Sequence, residues 1–303
     1  MSSDNLVERI RELKRRRNAV ILVHNYQPPE IQDIADFLGD SLGLSRQAAA
    51  TDADVIVFCG VHFMAETAKI LSPEKTVLMP DVFAGCPMAN MVTPERLREM
   101  KRRHPDATVV TYVNSTAAVK AESDYCCTSA NAVAVARAVP AAKILFVPDH
   151  HLGRFTAAQC PDKEFILWRG FCPTHMKITA EDIRRARATY PEAEVLVHPE
   201  CRQDVIELAD AALSTSGICK RAAESEAPTL VIGTEVGILY RLRRENPEKN
   251  FVPASERAVC PNMKLATLEK VLWCLQDVAD PIEVPEPIRE RAARAIERMV
   301  SIG

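Results

Sequence analysis

The sequence predicts an α/β protein made of three related units, each a small parallel sheet covered by helices on both faces, and two observations carry that prediction. The first is a repeat. Cys-Pro pairs stand at Cys86-Pro87, Cys172-Pro173 and Cys260-Pro261, 86 and 88 residues apart, a spacing too long for a local metal finger. Seven residues beyond the cysteines stand Thr93, Thr179 and Thr267, and further landmarks keep the register: Pro105 and Pro191, Tyr112 and His198, Asn114 and Glu200. One period before Tyr112 and Asn114 lie His24 and Tyr26, so the first unit carries its signature without a preceding Cys-Pro. Each signature is followed by an aspartate and, five residues later, by a hydroxyl: Asp36 and Ser41, Asp124 and Ser129, Asp210 and Thr215. The second observation is the alternation of short apolar, β-rich runs with helical segments, the pattern of a parallel sheet buried on both faces. Over 303 residues the expected division is 1–86 for the first unit, completed by 261–303, then 87–173 and 174–260.

The elements follow in order. Asn5 with Glu8 makes a capping box for a helix to about Arg17. Ala19 to Val23 reads as a buried strand that delivers His24 and Tyr26 at its carboxyl end. Pro28-Pro29 opens a helix that Gly39 closes, and a loop then carries Asp40 and Ser41. Strand Val55 to Cys59, a helix from about Phe63 to Leu71 and strand Thr76 to Met79 lead to Cys86. The second unit runs through a helix from Thr93, strand Thr108 to Val113, a helix around Lys120, the loop Thr128-Ser129, a helix through Arg137, and strands Ile144 to Val147 and Glu164 to Leu167. The third has a helix from Thr179 and strands Glu194 to Val197, Thr229 to Ile232 and Asn250 to Val252. Thr93, Thr179 and Thr267 read as N-caps, each with a glutamate two residues on that complements the helix dipole. The Thr267 helix starts a fourth unit that is never completed and is expected to pack beside the first. Ligands of parallel sheets gather beyond the carboxyl ends of the strands, so three such ends facing one another make one central site.

Composition narrows the function classes. A net charge of −3, with 47% hydrophobic and 26% charged residues, leaves no footprint for nucleic acid or an anionic membrane. No apolar run approaches the roughly 20 residues of a membrane span, and the N-terminus lacks the apolar core of a secretion signal. A cytoplasmic setting is therefore expected, with the ten cysteines reduced and serving metal, catalysis or burial. The dinucleotide and P-loop glycine patterns are both absent.

Three cysteines recurring in register suit soft-ligand metal chemistry, although a free cysteine is also a common core residue. With zinc, His175 completes a closed Cys3His set. With an iron–sulfur cubane, three cysteines leave one iron open, a Lewis acid for a substrate hydroxyl or carboxylate. His24 and His198, paired in register with Tyr26 and Glu200, suit acid–base work near neutrality. Ser41, Ser129 and Thr215 read as helix caps, and a hydroxyl at a helix N-terminus is also an anion site. Three such sites suit two carboxylates and a phosphate.

Taken as a set, His24-Asn25-Tyr26-Gln27, Ile34-Ala35-Asp36-Phe37-Leu38-Gly39-Asp40-Ser41, Cys86-Pro87-Met88-Ala89-Asn90, Tyr112-Val113-Asn114-Ser115, Cys127-Thr128-Ser129-Ala130-Asn131, His198-Pro199-Glu200-Cys201 and Cys260-Pro261-Asn262-Met263-Lys264 closely resemble the quinolinate synthase (NadA) family, in order from His24 to Lys264. The resemblance implies three pseudo-threefold-related α/β/α domains around a central site, with a [4Fe-4S] cluster held by Cys86, Cys172 and Cys260. It implies a transferase that condenses iminoaspartate with dihydroxyacetone phosphate to quinolinate, phosphate and water in NAD biosynthesis, functionally coupled to the enzyme supplying iminoaspartate. Catalysis would fall to His24, Tyr26, Tyr112, His198 and Glu200. Substrate would be held by His24, Ser41, Tyr112, Asn114, Ser129, His175, His198, Glu200, Ser214 and Thr215. Some members carry a C-terminal C-x-x-C-x-x-C tail, which this sequence lacks, so no redox switch of that kind is expected. The competing readings are another iron–sulfur dehydratase or lyase, and a non-catalytic zinc or iron–sulfur sensor.

Overall fold

The short apolar runs become the central strands of three separate parallel sheets in the computed structural model, which describes residues 3–302. The first sheet and its helices comprise α1 (Ser3–Arg16), β1 (Ala19–His24), α2 (Pro29–Gln32), β2 (Phe37–Gly39), α3 (Ser41–Ala50), β3 (Val55–Cys59), α4 (His62–Leu71) and β4 (Thr76–Leu78). The second has α5 (Pro94–Arg103), β5 (Thr108–Tyr112), α6 (Ala117–Lys120), β6 (Tyr125–Cys127), α7 (Ala132–Ala138), β7 (Lys143–Val147), α8 (His150–Ala158) and β8 (Glu164–Leu167). The third has α9 (Ala180–Thr189), β9 (Glu194–Val197), α10 (Gln203–Ile206), β10 (Ala211–Ala212), α11 (Thr215–Glu224), β11 (Thr229–Gly233), α12 (Ile238–Glu245) and β12 (Asn250–Pro253), and α13 (Leu268–Asp277) and α14 (Glu286–Ser301) end the chain. Strand order β2-β1-β3-β4 recurs as β6-β5-β7-β8 and β10-β9-β11-β12, and every pairing is parallel. The protein is thus an α/β fold of three pseudo-threefold-related α/β/α layers.

The period-two alternation of a strand splits each sheet's side chains between two cores. From β1 and β3, Ile21, Val23 and Val57 face α1 and α13, where they cluster with Leu6, Ile10, Val271 and Leu272. Leu22, Ile56 and Phe58 point the other way into one large core, which also takes Val110, Ile144 and Phe146 from the second sheet and Leu196, Leu230 and Ile232 from the third. One face of every sheet therefore belongs to a common interior. The opposite faces of the second and third sheets have cores of their own.

Several repeat landmarks prove to be structural locks. Asp36, Asp124 and Asp210 each accept the backbone N–H of Ile21, Val109 or Val195 at 2.7–2.8 Å, and each returns its own N–H to the same residue's carbonyl. The first strand is thereby pinned to the edge strand that follows. Thr93, Thr179 and Thr267 are N-caps, as read, each accepting the N–H three residues on. A further set went unread: Lys75, Lys163 and Lys249 reach back to the carbonyls that end α3, α7 and α11, the favoured place for a cation on the helix dipole.

Three expectations are corrected. Helix α1 already includes Ser3, so Asn5 lies inside it and is not its cap. The helix expected from Pro28 to Gly39 is the single turn α2, because Asp36 turns the chain into strand β2 over Phe37–Gly39. Ser41 does not lie in a loop but opens α3. At the C-terminus, α13 packs on α1 and β3, while α14 lies against α3, α4, α6 and β6. No helix among the described residues is long and apolar enough to cross a membrane.

Candidate active site

The carboxyl ends of the strands and the three Cys-Pro loops enclose a cavity of about 240 Å³. Every site residue expected from the sequence lines it except Ser214, whose hydroxyl accepts the N–H of Gly217 as the N-cap of α11. Ser41 and Thr215 are the first residues of α3 and α11, and the capping falls to the residue before each, Asp40 and Ser214. The hydroxyls and the helix N-termini are left to face the cavity. Asn114 also lines it, with its Oδ1 buried and without a protein partner.

His24 ends β1, and His198 follows β9 at the equivalent corner. In each the Nδ1 accepts an N–H from its own loop, that of Tyr26 at 3.2 Å and of Glu200 at 3.3 Å. Burial, outweighing nearby carboxylates, pushes the imidazoles down to about 4 and about 3, so both are neutral near pH 7. A neutral ring whose Nδ1 accepts carries its proton on Nε2. His198 Nε2 meets the hydroxyl of Ser129 at 3.1 Å.

A second set of close contacts runs deeper. Glu200 Oε2 lies 2.7 Å from His175 Nδ1, His175 Nε2 is 2.8 Å from the Thr234 hydroxyl, and that hydroxyl is 2.5 Å from the Tyr26 phenol. All four side chains are buried. Burial opposes the charge on Glu200, but His175 beside it and a hydrogen bond from Tyr112 overcome it and hold the carboxyl below its usual range. Burial and the Glu200 charge push both phenols, Tyr26 and Tyr112, well up. The site therefore pairs an ionised carboxylate with protonated phenols. Thr234 was not singled out from the sequence, and its place in the repeat falls opposite Gly60 and Pro148, which carry no hydroxyl.

Each half-buried cysteine opens a tight turn whose backbone points at its sulfur. Cys86 Sγ accepts from the N–H groups of Met88 and Ala89, Cys172 from His175, and Cys260 from Asn262 and Met263. The loops are held alike: His62, His150 and Val236 each donate a backbone N–H to the carbonyl two residues before a cysteine, at 2.8–3.0 Å. Gly170 belongs to this scaffold, since a Cβ there would lie 2.3 Å from the Pro148 carbonyl. Asn262 Nδ2 bonds the Gly85 carbonyl and Lys177 Nζ the Val259 carbonyl, stitching one loop to the next. Burial pushes all three thiols up, Cys86 to about 12, while the N–H bonds pull the other way. Such sulfurs are thiolates only beside a cation, and three of them with N–H···S bonds fit a soft metal or an iron–sulfur cluster. Among the described residues Cys172, His175 and Glu200 also offer ligand atoms within 4.8 Å of one another. His175 Nε2 bonds the Thr234 hydroxyl, while its Nδ1 lies close to Glu200 without a hydrogen bond. None of the remaining cysteines lines the cavity.

Comparison with known proteins agrees with this architecture. The family described as NadA, quinolinate synthetase A protein, matches residues 8–301. Among similar proteins, the quinolinate synthase of Geobacter metallireducens is 56% identical over 302 residues, covering 100% of this chain and 99% of its own length. That of Thermodesulfovibrio yellowstonii is 55% identical over 296 residues, 98% of each chain. That of Dehalococcoides mccartyi is 55% identical over 302 residues, 100% of each. With its full length matched and a polar cavity at the meeting point of three sheets, the chain belongs to the quinolinate synthetase A family of enzymes.

Proposed function

We propose that this enzyme condenses iminoaspartate with dihydroxyacetone phosphate to quinolinate, phosphate and water in NAD biosynthesis, with a [4Fe-4S] cluster held by Cys86, Cys172 and Cys260. The observation that carries the reading is the buried run of close contacts from Glu200 through His175 and Thr234 to Tyr26, beside a cavity shared by three thiols. When bound, the cluster supplies an iron with an open position, a Lewis acid toward a substrate hydroxyl.

The chain's own residues do the rest. The Nε2–H groups of His24 and His198, the hydroxyls of Ser41, Ser129 and Thr215, and the N-termini of α3 and α11 grip carboxylates and phosphate. Asn114 and Tyr112 complete the grip on the second sheet's side. Glu200, ionised, takes a proton from substrate, and Tyr26, protonated, gives one. His175 and Thr234 pass the proton between them by exchanging their two hydrogen bonds, so a carbonyl–enol isomerisation needs no bulk water. Each sheet with its helices would form one domain, 1–86 with 261–303, 87–173 and 174–260. A reducing cytoplasm would keep the thiols available, and the enzyme that supplies iminoaspartate would be the functional partner.

Anaerobically purified protein is expected to form quinolinate from the two substrates and to contain iron and acid-labile sulfide, not zinc. Cys86→Ser should lose cluster and turnover together. A serine variant with a full cluster and normal turnover would overturn the assignment.

A further inference from the structure

Behind two of the cysteine loops stand buried acidic side chains that have no part in the chemistry above. Glu235 follows β11 and is fully buried. Its Oε1 accepts the backbone N–H of Cys260 at 3.0 Å and its Oε2 that of Gly237 at 2.7 Å. Lys264, four residues beyond Cys260, pairs with it at 3.0 Å and also donates to the backbone carbonyl of Tyr26. The fit leaves no spare room: a Cβ at Gly237 would lie 2.6 Å from the Tyr26 carbonyl, 2.7 Å from Lys264 Nζ and 2.8 Å from Glu235 Oε2. Asp149 occupies the same place after β7. It too is fully buried, with Oδ1 accepting the N–H of Leu152 and Oδ2 without a hydrogen-bond partner. The equivalence is fixed by the residues that follow, His150 and Val236, which make the same bond to the carbonyl two residues before each cysteine. In the first unit the position is Val61.

Satisfying one N–H takes no more than a carbonyl or a water, whereas burying a carboxylate is costly unless its partners are in place. A carboxylate on the N–H of a ligating residue fixes the backbone from which the sulfur projects, the usual way in which outer groups orient a metal ligand. We propose that Glu235 is a positioning residue for the cluster ligand Cys260, and that the Glu235–Lys264 pair ties Cys260 to the backbone of Tyr26. Cluster retention and the setting of Tyr26 are then linked through one ion pair. The proposal rests on the cluster reading given above.

Reconstituted holoproteins challenged with an iron chelator test it, with cluster loss followed by visible absorbance and the reduction potential measured alongside. Glu235→Met removes both charge and acceptor and is expected to weaken cluster retention about 10- to 100-fold. Glu235→Gln keeps an oxygen for the Cys260 N–H and should fall between Met and wild type. The two charge changes should move the potential in opposite directions: Glu235→Gln leaves Lys264 unbalanced and makes the cluster easier to reduce, and Lys264→Met leaves Glu235 unbalanced and makes it harder. Lys264→Met loaded to full iron should also lose about tenfold or more in kcat as Tyr26 shifts, with Lys264→Arg restoring it. If the methionine variant at Glu235 does not fold, the opposite potential shifts of the other two decide. Wild-type retention and unmoved potentials in the folded variants would overturn the proposal. Wild-type protein that takes up no cluster would instead overturn the reading beneath it.

Discussion

At the scale of single residues, Thr234 joins the phenol of Tyr26 to His175, and only a hydroxyl can accept from one and donate to the other. Valine fills the same volume and cuts the connection at its midpoint. Thr234→Val is therefore expected to lower kcat by about a hundredfold or more with little change in KM, and Thr234→Ser to recover most of it. Steady-state kinetics decide, and a valine variant with wild-type kcat ends the relay. Residues such as His24, His198 and the three Cys-Pro cysteines were legible because the repeat puts comparable groups at comparable corners. Thr234 was not, because its register partners Gly60 and Pro148 share none of its chemistry. Ser214, expected at the site beside Thr215, stands just off the cavity lining as the N-cap of α11, accepting the N–H of Gly217.

At the scale of elements, the signals that proved readable are those a few adjacent residues complete among themselves. Thr179 and Asp182 cap α9 reciprocally, the threonine accepting the Asp182 N–H at 3.2 Å and the aspartate the Thr179 N–H at 2.9 Å. Thr179→Ala should cost about 1 kcal/mol, seen as a lower denaturation midpoint at unchanged slope. The long apolar strands were legible for the same reason, each being a contiguous run. Edge strands β2, β6 and β10, of three, three and two residues, are too short to show a period. They exist because an aspartate fifteen residues downstream of the first strand's N–H claims that group. The proline and glycine signals between Pro28 and Gly39 were real, but they bracket a one-turn helix and an edge strand, and local punctuation cannot foresee the bond from Asp36.

At the scale of the whole molecule, the C-terminal helix fastens parts of the chain that lie far apart in sequence. Glu122, beyond α6, is held by Arg98 of α5 and by Arg291 of α14, and Asn131 donates to the Met299 and Ile302 carbonyls. Burial works against the Glu122 charge, but the two guanidiniums prevail and keep its carboxyl below the usual range. Its stabilisation is thus fully present above the unfolded-state value of about 4.3 and is lost as pH falls through the lower folded value. Glu122→Gln should lower stability near pH 7 and flatten its acid dependence, read by denaturation at several pH values; a variant with the wild-type slope would show that the link is inert. The periodicity of the chain foretold three sheets, but not that one face of each would share a single interior, since that depends on contacts across units. The tandem arrangement has a last consequence. Three identical subunits meeting on an axis would offer a substrate the same groups three times over. Here the copies are strung on one polypeptide, so each corner was free to diverge, into imidazole and phenol at His24 and Tyr26, phenol and amide at Tyr112 and Asn114, and imidazole and carboxylate at His198 and Glu200. A lopsided molecule can then be handled inside a symmetric frame.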